Sequence, residues 1–286
     1  MLGMLTGAFA ALGSQKAESL DQSTVTMILM GMAMAATLNA ASNVLNQVCD
    51  IEQDTINKPH RPIPAGEMSM TTAKWYAAGL YALANVLAFF IDCGAGRECF
   101  YIVLFTSFLT YAYSGPPFRW RRFGWRANLT VALPRGMLLK VAGWSTVAPV
   151  FSDMEPWFLG LIFFLFLLGA TTTKDYADVV GDAAAGVRNL PIRLGIKGAL
   201  KATAPFFVVP WLILAVSPWL SGPPLGASPI GLLTLGLACA AYGAFIVKIL
   251  FRDPKAIAHQ ENHPAWGHMY KLMMMAQVGS ALVYQF

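Results

Sequence analysis

The sequence predicts an all-α, polytopic membrane protein with about nine transmembrane helices. Three observations carry that expectation. Hydrophobic residues make up 56% of the 286 residues and charged residues only 12%, against roughly 25% charged in ordinary soluble domains. Apolar runs of about 20 residues, the length that crosses a bilayer core, recur along the chain. The basic residues gather in alternate connections between those runs.

The expected spans are 1–13, 24–46, 71–92, 98–113, 127–150, 156–173, 203–220, 228–250 and 267–285. The first is too short to cross a bilayer of about 30 Å. It also lacks the basic start and small-residue cleavage site of a signal peptide, so it is read as a trimmed start or as a helix beginning inside the bilayer. The second span ends in a polar stripe, the fourth in the turn-rich Tyr113–Pro117, and the sixth in an acidic stripe. The fifth carries Arg135 and Lys140, charges that either snorkel to an interface or line a cavity. Ser221–Ser228 is the turn-rich link before the eighth span. With no low-complexity tract and no long linker, residues 1–286 read as one transmembrane domain.

Most of the 20 Lys and Arg residues fall after the second, fourth, sixth and eighth spans, and only Lys16 and Arg97 sit in connections on the opposite face. The positive-inside rule then places the basic loops in the cytoplasm. The net charge of +5 is explained by topology, so a nucleic-acid partner is not expected. The four cysteines show no metal or haem spacing; Cys93 and Cys99 flank one short non-cytoplasmic loop where a disulfide is possible but nothing in the sequence supports one. His259, His263 and His268 lack a carboxylate partner pattern beyond Glu261 and do not predict a metal site.

The sharpest feature is the end of the second span. Asn39, Asn43, Asn46, Asp50, Asp54 and Asn57 are spaced as one face of a continuous helix. A second stripe, Asp175, Asp178 and Asp182, shows the same periodicity after the sixth span. Helix-end carboxylates are often just solvated, but two matched clusters on one membrane face are not explained that way. Converging carboxylates repel and need cations, and hard oxygen ligands with room for waters and phosphates suit Mg²⁺. Metals held between two such clusters can bridge a diphosphate and neutralise its charge as it leaves.

At these residues the sequence resembles the UbiA superfamily of intramembrane prenyltransferases. Asn46, Asp50 and Asp54 match its Asn-x-x-x-Asp-x-x-x-Asp motif, and Asn57 through Gly66 resemble the Arg-Pro-Ile-Pro continuation. Lys174, Asp175, Asp178 and Asp182 match the second motif. The resemblance implies a nine-helix fold around a central cavity, with lateral entry for a lipid tail. It also implies two Mg²⁺ ions on the aspartates, a prenyl diphosphate donor and a small or lipid-soluble acceptor, with membrane lipids around the chain. Asp50, Asp54, Asp178 and Asp182 would be catalytic metal ligands, joined by Asn46 and Asp175.

Relatives carry a Lys in the loop after the fourth span where this chain has Pro117, in a Tyr113-Ser-Gly-Pro-Pro-Phe-Arg119 segment similar to that of chlorophyll synthases. Arg119 or Arg121 is expected to supply the missing cation. Arg61, Tyr113, Arg135, Lys174 and Arg188 complete the expected substrate-binding set. The acceptor stays open between lipid, aromatic or quinone precursor, and tetrapyrrole. A membrane terpene cyclase is the alternative enzyme, and a transporter is disfavoured because the acidic clusters sit at helix ends instead of near the midplane.

Overall fold

The computed structural model describes the chain except residues 16–20, 95, 178, 185, 221–224, 255–256, 258–262 and 286, and except the side chains of residues 56–57, 174, 180–181 and 184. The described residues form helices and no β-strand; one bridge joins Phe123 and Arg188. The helices are α1 (Leu2–Ser14), α2 (Gln22–Cys49), α3 (Ile51–Asn57), α4 (Met70–Phe89), α5 (Glu98–Ser114), α6 (Gly124–Ala132), α7 (Leu139–Trp144), α8 (Glu155–Ala170), α9 (Thr172–Asp175), α10 (Val179–Ala184), α11 (Leu190–Thr203), α12 (Val209–Val216), α13 (Pro229–Arg252) and α14 (Pro264–Val283).

By length and hydropathy, Gln22–Cys49, Leu190–Trp219 and Pro229–Arg252 are able to cross a membrane. The other expected spans are shorter, more polar or interrupted, so these two criteria do not fix the count at nine. The outer surface supports the same setting. Trp75 is 76% exposed, Ile230 73% and Phe90 62%; each large apolar side chain left in water forgoes about 1.5–3 kcal/mol, and lipid removes that cost.

Local sequence explains where helices start and break. Asp21, Ser69, Asn189 and Ser228 each accept a hydrogen bond from a backbone N–H of the first turn they precede. The expected fifth span is divided by a π turn, Leu133–Leu138, between α6 and α7. Pro134 lies in that turn, where its missing N–H is accommodated by the wider winding. Gly143 and Gly7 let α7 and α1 cross backbone to backbone: a Cβ at Gly143 would collide with the Met4 carbonyl, and one at Gly7 with the Lys140 carbonyl. The expected seventh span is likewise segmented, with 3₁₀ turns on either side of α12.

Lys140 is fully buried and does not line a cavity. Its ammonium donates to Thr6 Oγ1 at 2.7 Å, Gln277 Oε1 at 2.5 Å and Ser280 Oγ at 3.4 Å, and lies 4.6 Å from the centroid of the Phe163 ring. Its three protons are thus used, and α7 is tied to α1 and α14. Cys99 is a free thiol, so Cys93 and Cys99 are not joined in a disulfide.

The loops collect at two ends. At one, Glu155 accepts hydrogen bonds from Ser14 Oγ (2.6 Å) and the Gly226 N–H (2.7 Å). At the other, Arg61 meets Asp54 and the Arg188 N–H donates to the Arg122 carbonyl at 3.1 Å. The chain is an integral membrane protein in which the acidic motifs and the loops carrying Arg61, Arg122 and Arg188 share this second end.

Candidate active site

The spacing of the first motif suggested an unbroken helix from Asn39 to Asn57, and the structure corrects this. Helix α2 stops at Cys49, Asp50 takes non-helical angles (φ −112°, ψ 14°), and α3 begins at Ile51. The break resolves an electrostatic conflict. On a continuous helix, Asp50 and Asp54 would sit toward the negative C-terminal end, whereas here Asp50 precedes a new helix and Asp54 lies in its first turn, where carboxylates are favoured. The second stripe is also divided, with Asp175 ending α9 and Asp182 on α10.

Each carboxylate of the first motif has a fixed partner. Asn46 Nδ2 donates to Asp50 Oδ2 at 2.6 Å and to Ser114 Oγ at 3.2 Å, joining α2 to the end of α5. Arg121, on the 3₁₀ turn Trp120–Arg122, forms an ion pair with Asp50 and donates to Gln53 Oε1. Arg61 Nη1 meets Asp54 Oδ2 at 2.6 Å. Asp50 and Asp54 are both buried; unpaired, such charges would be costly, and the two guanidiniums offset that cost. In the second motif, Asn189 Nδ2 donates to Asp182 Oδ2 at 2.9 Å while its Oδ1 accepts the Ile192 N–H at 3.0 Å and caps α11.

These groups surround a polar recess of about 70 Å³. Asp50 and Asp54 from the first motif and Asp175 and Asp182 from the second all line it, together with Asn46, Tyr113 and the cations Lys58, Arg61 and Arg121. Among the described residues that line it, four carboxylates against three cations leave one formal negative charge. Burial pushes the Arg121 guanidinium down from its ordinary pKa, and the charge of Asp182 pushes it back up; an arginine starts so high that it stays charged.

The expected residues divide clearly. Asn46, Asp50, Asp54, Arg61, Tyr113, Arg121, Asp175 and Asp182 come together at the recess. Of the two arginines offered for the missing Lys, the structure brings in Arg121 and not Arg119. Arg119 holds a left-handed backbone (φ 42°), and its buried Nε has no hydrogen-bond partner among the described residues. Arg135 is exposed on the π turn, and Arg188 lines a neighbouring recess; neither reaches this one. Asp178 and the Lys174 side chain lie outside the described residues. Gln53 and Asn189 were missed, and Lys58 was read only as a topology signal. The Asn189-Leu-Pro191 sequence carried a visible helix-start signal, but nothing in it pointed to Asp182. Among the described residues, no three His, Cys, Asp or Glu side chains stand close enough to hold one ion.

The sequence profile of the UbiA prenyltransferase family matches residues 1–263. The chain is 32% identical over 173 residues to the bacteriochlorophyll synthase 34 kDa chain of Chloroflexus aurantiacus, covering 60% of this chain and 54% of that one. It is 31% identical over 220 residues to the digeranylgeranylglyceryl phosphate synthase of Methanopyrus kandleri, covering 75% of each. In fold it is similar to a UbiA homologue from Archaeoglobus fulgidus solved with GPP and Mg²⁺, with a TM-score of 0.71, 17% identity, and coverage of 99% of this chain and 95% of that one. With the family profile spanning nearly the whole chain and a relative above 30% identity over three quarters of it, this chain belongs to the UbiA prenyltransferase family.

Proposed function

We propose that the protein, as one domain over residues 1–286, transfers a prenyl group from a prenyl diphosphate to a lipid-soluble acceptor, and that the recess holds the diphosphate. The observation that carries this reading is the meeting of four carboxylates from two distant motifs with Lys58, Arg61 and Arg121 around one recess. A diphosphate would add charge to a set already formally negative, so cations must enter with it. The oxygen donors Asn46, Asp50, Asp54, Asp175 and Asp182 fit Mg²⁺, which takes one or two carboxylates per ion and completes its shell with water and phosphate oxygens; Asp178 belongs with them on its motif position. Two such ions would supply neutralisation of the charge that builds on the departing diphosphate.

The chain's own residues then divide the work. Arg121 and Arg61 grip phosphate oxygens through planar forks, and Lys58 adds a point charge. Asn46 orients Asp50, and Asn189 orients Asp182. Tyr113, the one aromatic among the described residues that line the recess, would stabilise an allylic cation through its ring. Arg119, Arg135 and Arg188, which do not line the recess, take secondary roles at most in this reading, while Lys174 keeps a substrate-binding role on its motif position. The named relatives act on glyceryl-phosphate and bacteriochlorophyll chemistry, and the acceptor here is drawn from the same broad class of amphiphilic molecules. The basic end, and the recess with it, faces the cytoplasm.

Release of diphosphate from geranyl diphosphate, followed with and without candidate acceptors in Mg²⁺, tests this. Asp50→Asn, Asp54→Asn and Asp182→Asn are expected to lose turnover while the detergent-extracted protein stays monodisperse. Near-wild-type turnover in any one removes that residue from the site, and acceptor-independent cyclic products would replace transfer by cyclisation.

A further inference from the structure

A second recess, of about 430 Å³, is bounded by Phe123, Trp125, Arg126, Arg188 and Arg193. Its walls come from the start of α6, the segment that leads into α11 and the first turn of α11 itself. The Phe123–Arg188 bridge and the hydrogen bond from the Arg188 N–H to the Arg122 carbonyl lock these segments together. Extended backbone alternates its side chains, so Val187 and Asn189 turn inward to the carboxylate recess while Arg188 turns outward. The two recesses are therefore back to back across one thin wall. Gly124 allows the close approach: its backbone is left-handed (φ +40°), and a Cβ there would come within 3.1 Å of Arg193 Nη1 and 3.2 Å of the Arg188 carbonyl.

The chemistry of this recess differs from that of its neighbour. Three guanidiniums line it, no carboxylate does, and none of the three forms an ion pair among the described residues. Arg126 lies 5.6 Å from the centroid of the Phe123 ring, a contact that orients the guanidinium without neutralising it. Beside the charges, Trp125 is 57% exposed and Leu194 52%. Aromatic and apolar side chains next to arginines that no described carboxylate pairs, at the basic end of a membrane bundle, form the pattern that seats an anionic headgroup with its chains along the protein.

We propose that this recess binds the phosphate headgroup of an anionic membrane lipid. The lipid's phosphate meets Arg126, Arg188 and Arg193, and its acyl chains run past Trp125 and Leu194. The site is independent of the diphosphate reading, since it needs none of the carboxylates.

The test is native mass spectrometry of the full chain, titrated with phosphatidylglycerol or phosphatidylcholine. One phosphatidylglycerol per protein is expected to be retained at a concentration at least ten times lower than phosphatidylcholine. Each basic residue near a charged lipid surface contributes about fivefold in affinity, so Arg126→Gln/Arg193→Gln should weaken retention by about 25-fold, and Arg97→Gln at the opposite end should not. Brominated phosphatidylglycerol in nanodiscs should quench wild-type emission more than that of Trp125→Phe, a measurement that does not depend on the arginine variants folding. Equal retention of the two lipids, unchanged retention in the double variant, or equal quenching overturns the proposal. Displacement of the lipid by glycerol phosphate at matched concentration would show a soluble-anion site and overturns the lipid assignment.

Discussion

Replacing Arg121 by Lys keeps the charge and removes the geometry. Arg121 uses two guanidinium nitrogens at once, one on Asp50 and one on Gln53, and its side chain is only 15% exposed. A lysine ammonium on a flexible stem reproduces one of these contacts and loses the fork that would grip two phosphate oxygens. One charge-assisted hydrogen bond is worth about 1.5–3 kcal/mol, so donor affinity should fall by roughly 10- to 150-fold. Titration calorimetry with a thiolo analogue of geranyl diphosphate, which binds without ionising, measures this directly. Arg119→Lys is the control, because that side chain does not line the recess, and its affinity should stay within about threefold of wild type. A silent Arg121→Lys, or a loss confined to Arg119→Lys, would refute the assignment of Arg121 as the cation replacing the relatives' Lys.

Three further outcomes are expected. Gln277→Leu, which strips an acceptor from the fully buried Lys140 ammonium, should cost about 1.5–3 kcal/mol, whereas Lys140→Met, which removes the buried charge with its need for partners, should cost less; thermal unfolding in detergent giving the reverse order would contradict the tether. Burial holds the His263 imidazole below its ordinary pKa, opposed by Asp253, and its Nδ1 accepts the Ala265 N–H at the start of α14 only when neutral. The contribution of that cap is therefore complete above the unfolded-state pKa of about 6.5 and is lost as pH falls through the lowered folded value; hydrogen exchange at the first turn of α14 should rise on acidification in wild type and not in His263→Asn. Single cysteines at Glu67, Arg122 and Arg252 should be shielded from impermeant reagents in intact cells while one at the exposed Ser152 reacts, and labelling of Ser152 on the same side as Arg122 would break the alternation of spans.

The acidic motifs were legible because carboxylates at helical spacing in an apolar chain have few other uses, and Asp50, Asp54, Asp175 and Asp182 do converge. The break at Asp50 was not legible: a spacing of three and four residues fits one helix or two, and only the helix-dipole penalty hinted at the second. Choosing between Arg119 and Arg121 required side-chain direction on a 3₁₀ turn, which two residues of sequence separation do not specify. Lys140 was visible as a charge inside a span, but its partner Gln277 lies 137 residues away, and an uncharged amide gives no electrostatic signal. Arg188 flanks the second motif yet faces away from it, since alternation along an extended segment reverses direction at each residue. The fifth span reads in sequence as unbroken from 127 to 150, and its interruption at Leu133–Leu138 was not legible: the π turn that absorbs Pro134 depends on the packing of Gly136 against the Phe163–Phe164 backbone.

The most direct test of the central claim is equilibrium binding of the thiolo diphosphate analogue to the full chain as Mg²⁺ is varied, in wild type and in Asp50→Asn/Asp182→Asn. The account predicts that wild-type affinity rises steeply with Mg²⁺ and that the double variant, which takes one carboxylate from each motif, loses this dependence while retaining weak metal-independent binding through Arg61 and Arg121. Binding that is equally tight without Mg²⁺, or a double variant whose Mg²⁺ dependence matches wild type, would contradict the claim that the two motifs act together on one diphosphate.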